Sequence, residues 1–379
     1  MKGLLSSAVL GTVVLAGAIA AAAAAPSTSR PNPLRVSMVA ATGGGSDFLG
    51  PVEITITNTS RHTVRLPTWQ LPSDAPTAKL FQVSLDGEPV AYRGRLAKRG
   101  LPTPADFTIL RAGHSYSTVV DLSGAYDLSK TGQYTVTFAA PLQHASLSNG
   151  RMLKQPDGRA MAMRSVPLRL WVDGSDQLGL AKPVDSGGKG KPCNPRKETC
   201  DGGGDGTVDG ISFVGCSTTE INTAGNAVVA ARNYAENAKG YLNGGTVGPR
   251  YTTWFGAYTS SRYNTVEQNF VDIDAAMDQS NGEVKINCGC NQSYYAYVYP
   301  TRPYEIFVCR AFWSAPLTGT DSKAGTLIHE MSHFNAVAGT DDHVYGQSGA
   351  QNLAATDPAR AVENADNHEY FAENHPSQN

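Results

Sequence analysis

No cysteine precedes Cys193, and all six cysteines of this 379-residue chain lie between that position and Cys309. The set contains no C-x-x-C pair, so a zinc knuckle is not expected. Charge is also sparse: charged residues make up 17%, net charge is −2, and no basic block occurs. Nucleic acid and anionic membrane surfaces are therefore not expected partners. Beyond the first 25 residues no apolar run reaches transmembrane length.

The amino terminus is where the apolar residues gather. Lys2 precedes an apolar stretch from Leu4 through Ile19, and alanines follow from Ala20 to Ala25. That arrangement predicts a secretory signal peptide over residues 1–25, cleaved within the alanine run, and an extracellular destination. In that compartment the cysteines Cys193, Cys200, Cys216, Cys288, Cys290 and Cys309 are expected as disulfides. Cys288 and Cys290 are too close to bridge each other comfortably, so each needs a distant partner. The first cysteine lies too far downstream for a lipid-anchored lipoprotein.

From residue 26 to about 182 short alternating runs recur, among them Val52-Glu53-Ile54-Thr55-Ile56-Thr57 and Tyr134-Thr135-Val136-Thr137-Phe138. Asp86-Gly87, after Leu80 to Leu85, is a hairpin signal. The spacing predicts an all-β sandwich, immunoglobulin-like in outline. No metal or nucleophile constellation falls in it; His62, His114 and His144 are scattered. Residues 183–211, rich in Gly, Lys, Pro and Asp, read as a flexible linker open to proteolysis, with Lys189, Lys191 and Lys197 as candidate cutting points.

The remainder, 212–379, reads as an α+β, mainly helical domain. Helices are expected near 217–242, capped by Thr218 or Thr219, near 262–279, at 322–337 and within 346–375. A β-rich part is expected near 284–313. The aromatic cluster Tyr294, Tyr295, Tyr297 and Tyr299 reads mainly as a strand with one packed face, and could line a cleft.

The most telling segment opens with H-E-x-x-H: His329, Glu330 and His333. Residues four apart share a helix face, so both imidazoles can bind one ion, and Glu330 can act as general base on its water. An amphipathic helix with two surface histidines would show the same spacing. Thr320, Asp321 and Ser322 offer N-cap oxygens. Ala324, Leu327, Ile328, Met331 and Phe334 form an apolar stripe, and Gly339 is expected to end the helix. A catalytic zinc needs a third protein ligand. The metzincin pattern would place a histidine at position 339, which is Gly339. Asp342, His343 and Glu369 remain; spacing ranks Asp342 first without excluding the others.

The run Gly339-Thr340-Asp341-Asp342-His343-Val344-Tyr345-Gly346 resembles G-T-x-D-x-x-Y-G, the second motif of the aspzincins, the deuterolysin-like metallopeptidases. The resemblance spans about residues 212 to 379 and reaches the peptidyl-Lys metalloendopeptidases. It includes Arg250-Tyr251-Thr252-Thr253-Trp254-Phe255-Gly256, Ala296-Tyr297-Val298-Tyr299-Pro300, Ala311-Phe312-Trp313 and Asn364-Ala365-Asp366-Asn367-His368-Glu369-Tyr370-Phe371. It implies a zincin-type fold with one Zn²⁺ held by His329, His333 and Asp342. It further implies Glu330 as base and Tyr345 as an aid to the transition state.

By the same resemblance, Asp366 and Glu369 line the pocket for the residue after the scissile bond, which implies cleavage on the amino side of lysine. It suggests pairing of Cys216 with Cys288 and Cys290 with Cys309, leaving Cys193 and Cys200 for each other. Weaker matches before residue 130, including Tyr92-Arg93-Gly94 and Lys98-Arg99, resemble propeptides of fungal deuterolysin-type precursors. They imply a pro-domain that assists folding and blocks the cleft as an intramolecular inhibitor. The expected partners are protein or peptide substrates, and the expected state is a monomer. Two alternatives stand beside this reading: a deuterolysin-like endopeptidase of broader taste, and an adhesion or carbohydrate-binding protein whose zinc site is structural.

Overall fold

The computed structural model describes residues 30–41, 50–74, 76–174 and 206–379. The expected signal peptide, most of the expected linker, Cys193 and Cys200 lie outside the described residues. The N-terminal region is built of sheets and the C-terminal region is mainly helical.

Alternation of side chains organises the N-terminal region. In strand Pro51–Asn58, Val52, Ile54 and Ile56 are wholly buried while Glu53, Thr55 and Thr57 face outward. That pattern is the period of two that lets one face join a core. Full burial of such side chains contributes about 1.5–3 kcal/mol each. Leu34–Ala40 and Ser115–Asp121 flank this strand, both antiparallel. Val64–Pro67 pairs with Phe107–Leu110 and Ser146–Leu147. Gly132–Pro141 pairs with Phe81–Leu85, Ala162–Arg164 and Leu168–Val172. Inner faces of all these strands share one apolar core. The Asp86-Gly87 hairpin forms as expected, with φ of 52° and 92°.

A six-stranded sheet anchors the C-terminal region, in the order Gly206–Val208, Ile211–Val214, Lys285–Asn287, Glu305–Val308, Ala296–Val298 and Leu96–Lys98. Two of these strands are corrections to the sequence reading. Gly206–Val208, expected within the linker, pairs antiparallel with Ile211–Val214. Leu96–Lys98 comes from the N-terminal region, yet it completes the C-terminal sheet against the edge strand Ala296–Val298. A three-residue strand has no periodicity to betray it.

Eight helices are found among the described residues: α1 (Thr218–Asn243), α2 (Pro249–Phe255), α3 (Ser260–Met277), α4 (Arg310–Ser314), α5 (Lys323–Ser332), α6 (Gln347–Thr356), α7 (Pro358–Val362) and α8 (Ala365–Glu373). The cap of α1 is Ser217 rather than either threonine. Its hydroxyl accepts from the Glu220 amide while Glu220 reaches back to the Ser217 amide, a reciprocal capping box. Ala224, Ala227, Ala231, Ala235 and Ala238 form the buried stripe of α1, and such small side chains let α3 and α5 approach closely.

Every residue of α5 is buried. Ser322 is its N-cap, and the helix ends at Ser332, earlier than the expected 337. The amide of Asn335 turns aside to the Pro300 carbonyl, and the Thr340 amide returns to the Ser332 carbonyl, so the ladder cannot continue. Gly339 sits in that return turn at φ 60° rather than at the helix end.

Cys216–Cys288 and Cys290–Cys309 form disulfides with Cα separations of 5.1 and 4.7 Å. Both pairings match the sequence reading. The first closes a separation of 72 residues, which restricts the unfolded chain by roughly 4 kcal/mol in the chain-entropy model.

Candidate active site

Helix α5 and the loop after it bring three ligand atoms together. His329 and His333 project from adjacent turns, and the return turn through Gly339 and Thr340 carries Asp342 back across them. Asp342 Oδ1 lies 3.1 Å from His329 Nε2 and 3.4 Å from His333 Nε2. All three atoms are buried and lack a hydrogen-bond partner. Buried polar atoms are normally satisfied, so a convergent orphan set fits a cation as the missing partner.

Each imidazole is oriented from behind. His333 Nδ1 lies 2.8 Å from the Thr340 carbonyl, which holds its proton on that side and frees Nε2. His329 Nδ1 faces Asp366 Oδ1 at 2.8 Å and Glu369 Oε2 at 3.2 Å. Burial works against charge on Asp342, but His333 and His329 outweigh it and hold its carboxyl far below the usual range.

The other two candidates for third ligand stand elsewhere. His343 turns outward, its Nδ1 at 3.0 Å from Arg360 Nη2 and its Nε2 at 3.5 Å from Glu363. Glu369 lies on the Nδ1 side of His329, away from Asp342.

Glu330 is wholly buried beside the cluster, with Oε2 unpartnered. Burial pushes its carboxyl up to about 7, against the pull of His329 and His333. A carboxyl poised there can both take and return a proton near neutral pH. The Tyr345 hydroxyl neighbours the Asp342 carboxylate; burial and then that charge raise its pKa. Its backbone is clamped by Gln143 of the N-terminal region, which accepts from the Tyr345 amide at 2.8 Å and donates to its carbonyl at 2.5 Å.

Beside the cluster Glu369, Asp366 and Asp321 surround a buried lysine. Lys98, 1% exposed, donates to Glu369 Oε2 at 2.6 Å and to Asp321 Oδ1 at 3.1 Å, with Asp366 Oδ1 at 4.0 Å. Its ammonium lies 5.1 Å from the Tyr295 ring and 5.6 Å from the Tyr370 ring, within cation–π range. Burial disfavours that charge, but Glu369, Asp366 and Asp321 outweigh it and hold the Lys98 pKa well above its ordinary value. Asp321 is steadied by the Tyr370 hydroxyl at 2.7 Å. Beneath them Glu373 accepts from the Ser322 amide and hydroxyl; burial, then Glu369, pushes its carboxyl up to about 9.

The backbone of the same strand meets the cluster of His329, Glu330, His333 and Asp342. The Ala97 amide donates to Asp342 Oδ2 at 3.0 Å and the Lys98 amide to Glu330 Oε1 at 3.1 Å. On the far side of Asp342 a cavity of about 770 Å³ remains between the two regions, its walls including Trp69, Gln143, His343 and Tyr345.

All the sequence-predicted residues of this site are therefore neighbours in space. Asp321 and Lys98 were missed as pocket residues: Asp321 read as a cap, and Lys98 as an ordinary propeptide match. Tyr295 lies under the Lys98 ammonium, whereas Tyr297 and Tyr299 pack with Phe307 and Ala97. Ala296 and Val298 are buried in the main core on the other side, so this strand is packed on both faces rather than on the one expected.

Comparison with known proteins agrees with this geometry. A family model described as lysine-specific metallo-endopeptidase, an aspzincin, matches residues 242–373. The chain is similar to an extracellular protease from Aeromonas hydrophila, 45% identical over 333 residues, covering 86% of this chain and 89% of that protein. It is likewise similar to a peptidyl-Lys metalloendopeptidase from Grifola frondosa, 34% identical over 385 residues, covering 98% of this chain and 99% of that one. A solved zinc peptidase from Grifola frondosa is 47% identical, covering 43% of this chain and all of its own, with a TM-score of 0.42. Identity over nearly the full length of two such relatives assigns the chain: it belongs to the aspzincin family of metalloendopeptidases.

Proposed function

We propose that this chain is a secreted zinc endopeptidase, made as a precursor, that cuts proteins on the amino side of lysine. One observation carries the lysine reading: a lysine ammonium sits buried among Glu369, Asp321 and Asp366, and the first and last of these also face His329 Nδ1. A desolvated ammonium without such partners would cost several kcal/mol, so the pocket selects for lysine by charge and by depth.

Two neutral imidazoles and one carboxylate suit zinc and leave a position open, as hydrolytic sites require. When bound, zinc supplies Lewis acidity that brings the pKa of the attacking water to about 7. Glu330 takes the proton as that water adds to the peptide carbonyl, then returns it to the leaving amine. Tyr345 would donate to the developing oxyanion, a contact worth ~3 kcal/mol where geometry is good.

In this reading residues 1–25 are a signal peptide, 26–182 an immunoglobulin-like pro-domain, 183–211 a processing linker and 212–379 the monomeric protease. A digest of a denatured protein by the mature enzyme, with new amino termini mapped by mass spectrometry, tests it. Termini enriched in lysine are expected; termini without that enrichment would point to a broader deuterolysin-like specificity.

A further inference from the structure

The strand Leu96–Lys98 lies along the edge strand Ala296–Val298 in antiparallel register, Lys98 opposite Ala296 and Leu96 opposite Val298. Adding an extended segment to a sheet edge is how many proteins bind peptides: the ladder holds the backbone and pockets read alternate side chains. Here the pocket side chain is Lys98. Its neighbour Arg99 stays outside, its guanidinium over the Trp69 and Tyr294 rings.

The backbone amides of Ala97 and Lys98 are both held by residues of the candidate site. The amide of Ala97 is tied to Asp342, and the Lys98 nitrogen lies 3.1 Å from Glu330 Oε1. That nitrogen is the atom that must receive a proton if this bond breaks. The N-terminal region fastens the strand on its approach. Tyr92 donates to the Arg95 carbonyl at 2.9 Å, and Arg95 donates to the Tyr299 hydroxyl at 3.2 Å. Across the cleft Lys79 grips Asp341 at 2.7 Å.

We propose that Leu96–Lys98 is a tethered substrate: it keeps the precursor latent by filling the lysine pocket with Lys98, and its Ala97–Lys98 bond is the first one the enzyme hydrolyses. The inference rests on the lysine reading of that pocket. In the step, water adds its hydroxyl to the Ala97 carbonyl carbon, the C–N bond breaks, and the Lys98 nitrogen gains the proton through Glu330. Water is the only co-reactant. Because the bond is presented from within the same chain, the cut is intramolecular. Loss of that bond frees the strand to leave the sheet edge.

The experiment uses the full-length precursor, purified with a chelator and started with zinc. Fragments are followed by intact mass and amino-terminal sequencing, alongside hydrolysis of a fluorogenic lysine peptide. A new terminus at Lys98 is expected before the peptide is turned over, at a rate independent of precursor concentration. Lys98→Gln should give no such terminus and should hydrolyse the peptide without the lag. Lys98→Arg, which keeps the charge and guards against misfolding, should cut there at least tenfold more slowly. Maturation with Ala97–Lys98 intact, a rate that scales with concentration, or a Lys98→Gln precursor as latent as the wild type would overturn the proposal. Mature enzyme showing no lysine preference would instead defeat the pocket reading itself, so the two failures are distinguishable.

Discussion

Lys98 Nζ rests 2.6 Å from Glu369 Oε2, although 271 residues separate them. Both side chains are buried, so the pair cannot lean on solvent. Removing one partner of such a pair leaves an uncompensated charge, a loss of about 3–5 kcal/mol. In the mature enzyme, Glu369→Gln should therefore lower kcat/KM for lysine substrates by roughly 10²-fold or more. Substrates with norleucine in place of lysine should lose far less. Measured ratios that stay the same in wild type and variant would remove Glu369 from lysine recognition.

Glu330→Gln keeps the shape and discards the base. Hydrolysis should fall by about 10²–10⁴-fold. Zinc content by metal analysis should remain at one per chain, because the proposed ligand atoms belong to His329, His333 and Asp342. The precursor of this variant should also stay uncut; normal processing in a pure preparation would argue against self-cleavage.

Zinc should stabilise the fold as well as activate it. The buried ligand atoms of His329, His333 and Asp342 have no hydrogen-bond partner of their own. An ion binding only the folded state adds about 4 kcal/mol at a thousandfold excess over its dissociation constant. Calorimetry should show Tm rising with zinc and falling with chelator, and Asp342→Ala should flatten that response. A Tm indifferent to zinc in the wild type would contradict the metal-centre reading.

Gly325 of α5 packs directly against Glu373 of α8. A Cβ there would lie 2.1 Å from Glu373 Oε1 and 2.7 Å from Glu373 Cδ. Gly325→Ala must push α8 outward or displace the Glu373 carboxyl from Ser322, at an expected 1–3 kcal/mol. Denaturant unfolding should show a lower midpoint with unchanged slope. Because α8 carries Asp366 and Glu369, lysine preference should weaken in parallel.

His368 is buried, with Nδ1 3.0 Å from the Asn364 carbonyl and Nε2 3.0 Å from Asn269. Burial is the main cause that lowers its pKa to about 4. The folded state thus binds this proton less readily than the unfolded state, where the pKa is about 6.5. The contribution is fully present above about 6.5 and is lost as pH falls toward 4, up to ~3 kcal/mol. His368→Gln should be less stable at pH 7 but show a shallower fall in Tm between pH 7 and 5. An equal fall in both proteins would assign the acid sensitivity elsewhere.

The candidate metal centre is legible in the sequence because its parts are local. His329, Glu330 and His333 fall within five residues at the end of one helix, and Asp342 follows within one tight return, so spacing brought the histidines together and ranked Asp342 first among three candidates. Alternation likewise revealed the strands around Ile54 and Val136, because a sheet with one buried face writes its period into the chain. Helix ends were read less well. Ser217 displaced the threonines as the cap of α1, and α5 stopped at Ser332 because distant carbonyls claimed the amides that would have extended it.

Residues close in the chain thus announce the histidine pair, the candidate base and the α-helical and β-sheet character of the two halves, since backbone periodicity and side-chain reach act over a few positions. That Asp321 joins Asp366 and Glu369, or that Leu96–Lys98 crosses to another sheet, has no local signature. Those contacts join residues far apart in the chain, where charge pairing and edge hydrogen bonds set the partners and no local pattern records them.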